Sequence, residues 1–145
     1  MPNPQIAQGT LNRLVASVTF NDFPALNVTP SFLNKDGIRL AFDGEATTFL
    51  PTLTGAVTSL EPYQMVTLTI NLLKSQGLAN QYEQQLNTQS TIGDVTVRPD
   101  TSVLTPYDLT NCAIETVREL QFNGQDAGYA VTIRGYVQRN SALWG

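Results

Sequence analysis

Four carboxylates are the first candidates for chemistry. Asp43 and Glu45 flank Gly44, so both could project from one face of an extended strand, and Asp94 and Asp100 bracket the end of another candidate strand. Cleavage of a glycosidic bond needs such a pair about 5–9.5 Å apart, one as acid and the other as base or nucleophile. All four sit beside glycine, proline or a turn, where a carboxylate is ordinarily solvated or accepts backbone N–H groups. Their spacing is not that of a calcium-binding loop. Lys74 and Ser75 are adjacent, and neighbours on a helix point in different directions, which argues against a Ser–Lys dyad. Histidine is absent, which removes nucleophilic catalysis through a histidine base and the usual zinc ligand sets. The single cysteine, Cys112, cannot form an internal disulfide and reads as a small buried apolar side chain. Asn27-Val28-Thr29 has the form of a glycosylation sequon, but Pro30 follows it and no secretory signal precedes it. No glycine-rich phosphate loop, dinucleotide fingerprint or basic patch with interleaved aromatics is present. The residues therefore predict no catalytic centre, no metal site and no cofactor, and the expectation is that the protein is not an enzyme.

The bulk properties point toward a building block. In 145 residues, charged side chains make up only 14%, with twelve acids against eight bases, and threonine, asparagine and glutamine are arranged in alternating runs. The formal charge of −4 should repel nucleic acid, since binding to phosphate backbones needs clustered Lys and Arg. Only Lys35 and Lys74 are lysines, and lysines commonly guard exposed sheet edges against pairing, so the edges of this protein are expected to be open to partners. The length fits one domain over residues 1–145. No apolar run approaches the ~20 residues of a membrane helix, so membrane insertion is not expected. The start, Met1-Pro2-Asn3-Pro4-Gln5, lacks the basic and apolar stretches of a secretory signal.

Periodicity predicts mostly strands. Leu14 to Phe20 alternates, Ala25 to Thr29 is extended, and Asn34-Lys35-Asp36-Gly37 is a turn before a strand with Ile38, Leu40 and Phe42 on one face. After Asp43-Gly44-Glu45, the segment from Ala46 to Glu61 reads as an extended loop or hairpin. Its Phe49, Leu50, Leu53, Val57 and Leu60 are separated by polar residues, a pattern that a small domain would struggle to bury. Val66, Leu68 and Ile70 alternate with Thr67 and Thr69, giving one apolar and one hydroxyl face. The stripe Leu72, Ala79, Tyr82 and Leu86 predicts a helix from Asn71 to Leu86. Ile92 to Val97 is a strand. Cys112 to Phe122 and Tyr129 to Val137 predict a hairpin turned at Asn123-Gly124. Trp144, near a free end, is expected to pack on its own domain or on a neighbour.

In this order the elements resemble the tail tube proteins of contractile-tailed bacteriophages. The resemblance rests on the extended N-terminal segment (about 1–12), the threonine-rich excursion (about 43–62), the strand Gln64 to Ile70 running into a helix, the closing hairpin and the C-terminal arm (about 138–145). Related tube proteins occur in bacteriocin particles and type VI secretion. The resemblance implies a mainly β fold, a sandwich or barrel of tail-tube-like type with one flanking α-helix. It further implies six copies closing into rings that stack into a tube, made in the host bacterial cytoplasm, forming part of the virion tail and carrying DNA through without binding it. Sheath, tape measure, baseplate and tail terminator proteins would be its partners.

Carried onto this chain, Phe49, Leu50, Leu53, Val57 and Leu60 would form an inter-ring arm, and Trp144 a further subunit contact. Thr67, Thr69, Thr132 and Gln138 would be candidates for the lumen wall. Arg134 departs from what a neutral or acidic lining wants, and its expected partner is a carboxylate at a subunit boundary. Six copies would carry about −24 if each keeps its formal charge. The nearest competing reading is a tube protein of a bacteriocin or type VI secretion system; a further one, a carbohydrate-binding β-sandwich, calls for clustered exposed aromatics, whereas Tyr63, Tyr82, Tyr107, Tyr129 and Tyr136 are dispersed along the chain.

Overall fold

The computed structural model describes residues 7–117 and 120–145. The first six residues of the N-terminal segment lie outside them. Among the described residues, eight strands run in chain order as β1 (Ser17–Phe20), β2 (Leu33–Asp43), β3 (Thr47–Pro51), β4 (Ala56–Leu60), β5 (Tyr63–Leu73), β6 (Thr91–Arg98), β7 (Tyr107–Val117) and β8 (Gly128–Gln138). One α-helix, α1 (Gly77–Thr88), separates β5 from β6. Six strands form one antiparallel sheet in the order β1-β6-β7-β8-β5-β2, while β3 and β4 pair only with each other. The mainly β fold with one helix is as the sequence predicts.

Alternation sorts the sheet into two faces. Val66, Leu68, Ile70 and Leu72 of β5 are buried with Val131, Ile133 and Val137 of β8, Leu109, Cys112 and Ile114 of β7, and Val95 and Val97 of β6. The sheet curls into a half-barrel around this core. Phe42 of β2 and Tyr107 of β7, separated in the sheet by β8 and β5, bring their rings to 5.6 Å across the inside of the curl. Helix α1 supplies Leu78, Ala79 and Tyr82 to the core. Tyr82 meets Phe20 edge to face at 6.0 Å, and its hydroxyl donates to the Leu26 carbonyl at 2.7 Å. Tyr82→Phe leaves that buried carbonyl without its partner, and we expect a loss of about 1–3 kcal/mol in denaturant unfolding with secondary structure unchanged. An unchanged midpoint would show that the bond contributes nothing.

Four elements differ from expectation. The predicted strand from Leu14 begins only at Ser17, since the Asn12 side chain accepts from Leu14 N at 2.9 Å and Val15 N donates to Asn12 O, closing a turn. Ala25 to Thr29 is not extended throughout: Pro24–Leu26 is a 3-10 turn, and only Val28 bridges to Val18. The helix starts at Gly77, not Asn71, because β5 continues through Leu73, opposite Gly128 of β8, and the ladder outweighs the helical stripe at Leu72. Asn123-Gly124 does not make a two-residue turn: β7 is described through Val117 and β8 begins at Gly128, while residues 118–119 of the predicted hairpin lie outside the described residues. Phe122, predicted on a strand face, is exposed beside Lys74. The predicted turn at 34–37 is present as an irregularity inside β2, where pairing skips from Leu33↔Leu72 to Ile38↔Ile70.

Candidate assembly surfaces

The excursion is a hairpin standing apart from the half-barrel. Its register pairs Thr47 with Leu60, Phe49 with Thr58 and Leu50 with Val57, and Thr52 N donates to Gly55 O at 2.8 Å near the tip. Paired residues share a face, so Phe49 and Leu60 lie on one side and Leu50 and Val57 on the other. Every residue of both strands from Phe49 onward is exposed, Phe49 at 66% and Leu53 at the tip completely. Residues 46–60 contain no charged side chain. A two-stranded hairpin with apolar side chains on both faces has no core of its own and is marginal in water.

The base of the hairpin is held by the C-terminal arm. Asn140, at φ +49°, donates through Nδ2 to the carbonyls of Ala46 (3.2 Å) and Glu61 (2.8 Å). Asparagine tolerates that left-handed backbone better than most residues. Trp144 donates its indole N–H to Pro62 O at 3.1 Å while its ring stays about half exposed. The arm thus fixes where the hairpin leaves the body and still presents Trp144 and Leu143 outward.

The second surface is the polar face of the sheet. Cross-strand pairs Thr69↔Thr132, Thr67↔Arg134, Met65↔Tyr136 and Tyr63↔Gln138 place Thr67, Thr69, Thr132 and Gln138 on one face. Thr116 extends the row beside Thr132, and Arg39 and Ala41 of β2 extend it beside Thr69 and Thr67. Thr132, only 7% exposed, is nearly covered by its neighbours, whereas Gln138 is exposed at the edge of the face. Arg134 does not need another subunit for a partner. Its NH2 lies 3.1 Å from Asp43 Oδ2 and its Nε 3.5 Å from Glu115 Oε2, both in the same chain. Thr67 Oγ1 donates to the same Asp43 oxygen at 2.8 Å. Sequence reasoning missed this cluster because the three residues lie far apart along the chain; only the β2–β5–β8 register brings Asp43 to Arg134.

Asp94 accepts from Asn111 N, and no group of three or more His, Cys, Asp or Glu that could hold a metal ion occurs among the described residues. Cys112 is buried under Gly135, and burial, with the Asp94 carboxylate as a lesser cause, pushes its thiol up to about 12. Thiolate is the reactive form, so a thiol reagent at about pH 8 should label the native protein at least a hundredfold more slowly than the denatured one. Similar rates would place Cys112 on an open surface. A cleft of about 570 Å3 is lined by Leu33, Ile38 and Leu40 of edge strand β2 on one side and by Val97, Arg98 and Tyr107 of β6 and β7 on the other.

No family model and no curated protein matches the chain. Among solved structures it is similar to a chain in the cryo-EM structure of the anti-feeding prophage cap, a tube terminating cap, with a TM-score of 0.50 and 15% identity. The match covers 94% of this chain and 97% of that one. The fold is therefore shared, nearly end to end, with that chain of the tube terminating cap. No helix among the described residues is long and apolar enough to cross a membrane.

Proposed function

We propose that this protein is a structural subunit of a bacteriophage tail tube: copies close into hexameric rings, rings stack, and the bore conducts DNA. The observation that carries the reading is the hairpin β3–β4, with Phe49, Leu50, Leu53, Val57 and Leu60 exposed on both faces and no charge between Ala46 and Leu60. Each such side chain gains about 1.5–3 kcal/mol on full burial, and a partner that covers both faces at once meets that need. Heterologous contacts that repeat along an axis build such a stack. Trp144 adds to the subunit contacts, and the face bearing Thr67, Thr69, Thr132 and Gln138 lines the bore. The protein performs no covalent chemistry and needs no cofactor; its site is the virion tail, assembled in the host cytoplasm with sheath, tape measure, baseplate and terminator proteins.

The likeness to an anti-feeding prophage cap favours a second reading, a ring that ends a tube instead of building its length. Negative-stain microscopy of the purified protein separates the two. Open-ended tubes support the first reading, and discrete rings that never lengthen support the second. A monodisperse monomer at every protein and salt concentration overturns both.

A further inference from the structure

We propose that Asp43 and Glu115 mask Arg134, so that the polar face of the sheet presents no free cation at its centre to a passing polyanion. The inference rests on the bore assignment for its biological meaning, but the three groups belong to one subunit and the masking is a property of the single chain. Arg134 and Asp43 side chains are each 43% exposed and Glu115 is 38% exposed, so a phosphate could reach the guanidinium if the acids were gone. Exposed pairs of this kind contribute little to folding stability, so stability alone gives no reason for two acids on one arginine. Their effect on the local field is large by comparison: one positive charge is met by two negative ones at 3.1 and 3.5 Å.

The backbone is shaped to deliver both acids. Along β7, Ile114 pairs with Ile133 and Thr116 with Thr132, so two steps on β7 oppose one on β8. That irregularity leaves Glu115 as the extra residue, aimed at Arg134 instead of alternating regularly, as bulges commonly re-aim a side chain. Asp43 ends β2 opposite Met65, and the Thr67 hydroxyl holds its Oδ2 in place beside the arginine. An approaching phosphate must displace one carboxylate from Arg134 and then meets the other. Among the described residues, Arg39 is another cation on this face, and it stands opposite Thr69 at the free edge of the sheet.

The test compares binding of a short fluorescent DNA duplex by anisotropy, using the full chain in its own assembly state with light scattering recorded alongside. Asp43→Asn with Glu115→Gln should bind at least about tenfold more tightly than wild type at low salt, and the gain should vanish as salt rises. Adding Arg134→Gln to that pair should abolish the gain. Asp36→Asn with Asp100→Asn, which changes the net charge equally away from the cluster, should bind as wild type does. The proposal is overturned if the Asp43 and Glu115 variant binds no better than wild type while circular dichroism shows it folded. It is equally overturned if the gain survives loss of Arg134, or if the Asp36 and Asp100 control gains as much. A protein that proves monomeric sinks the tube reading and leaves this comparison intact.

Discussion

Removing residues 46–60, with a short Gly-Ser link in their place, is expected to yield a folded subunit that no longer stacks. The fold should survive because β3 and β4 form their own ladder and contribute no residue to the buried core. The six-stranded sheet, including the β2–β5 pairing that brackets the excision, keeps its register. Stacking should fail because the deletion removes all five exposed apolar side chains of the arm, each contributing about 1.5–3 kcal/mol when fully buried in a neighbour. A single charge at the tip, Leu53→Asp, should act in the same direction, since Leu53 is fully exposed in the subunit and loses nothing there. Thermal unfolding within a few degrees of wild type, with tubes absent from negative-stain fields, is the predicted outcome. Tubes persisting after the deletion would remove the hairpin from the assembly mechanism.

The largest effect on folding is expected at Gly135. A Cβ there would stand 2.5 Å from Cys112 Sγ, closer than real Cβ atoms pack, and 3.2 Å from the Thr110 carbonyl oxygen, a tight contact. Gly135 pairs with Val66 in the centre of the sheet, so the strand cannot shift without disturbing β5 as well. Gly135→Ala should cost about 1–3 kcal/mol as an overpacked core does, lowering Tm by roughly 5–10 °C. Cys112→Ala in the same chain removes the sulfur and should recover part of the loss, leaving the contact with Thr110 O. The double variant should therefore be more stable than the sum of the single losses by at least about 0.5 kcal/mol. Strict additivity would mean that the backbone contact, and not the thiol, sets the packing limit.

The sequence was most readable where a single physical demand dominated. The alternation of Val66, Leu68 and Ile70 with Thr67 and Thr69 identifies β5 because one face is buried along its whole length. Tyr129 to Val137 follows for the same reason, and Phe49 to Leu60 stands out because its apolar residues fit no single buried face. The reading failed where bonds distant in sequence decide the outcome. Leu72 belongs equally well to a helical stripe, and only its place in the β5–β8 ladder assigns it to a strand. Asn12 delays the start of the N-terminal strand to Ser17 through its own side chain, a local competition that apolar periodicity cannot register. Alternation separates Thr67 and Thr69 from the apolar face of β5, and only the β5–β8 register sets Thr132 and Gln138 on the same side as them. Thr132 is nonetheless almost covered, and Arg134 finds its acids within the chain, because both outcomes depend on what β2 and β7 place alongside.

A cryo-EM map of the assembled protein tests the account most directly. It should show closed rings of six in which the β5–β8 threonine face borders the central channel and the hairpin 47–60 crosses into the next ring, with Leu53 buried there. A map in which the threonine face points outward to solvent, or in which the hairpin folds back on its own subunit and touches no neighbour, would contradict it.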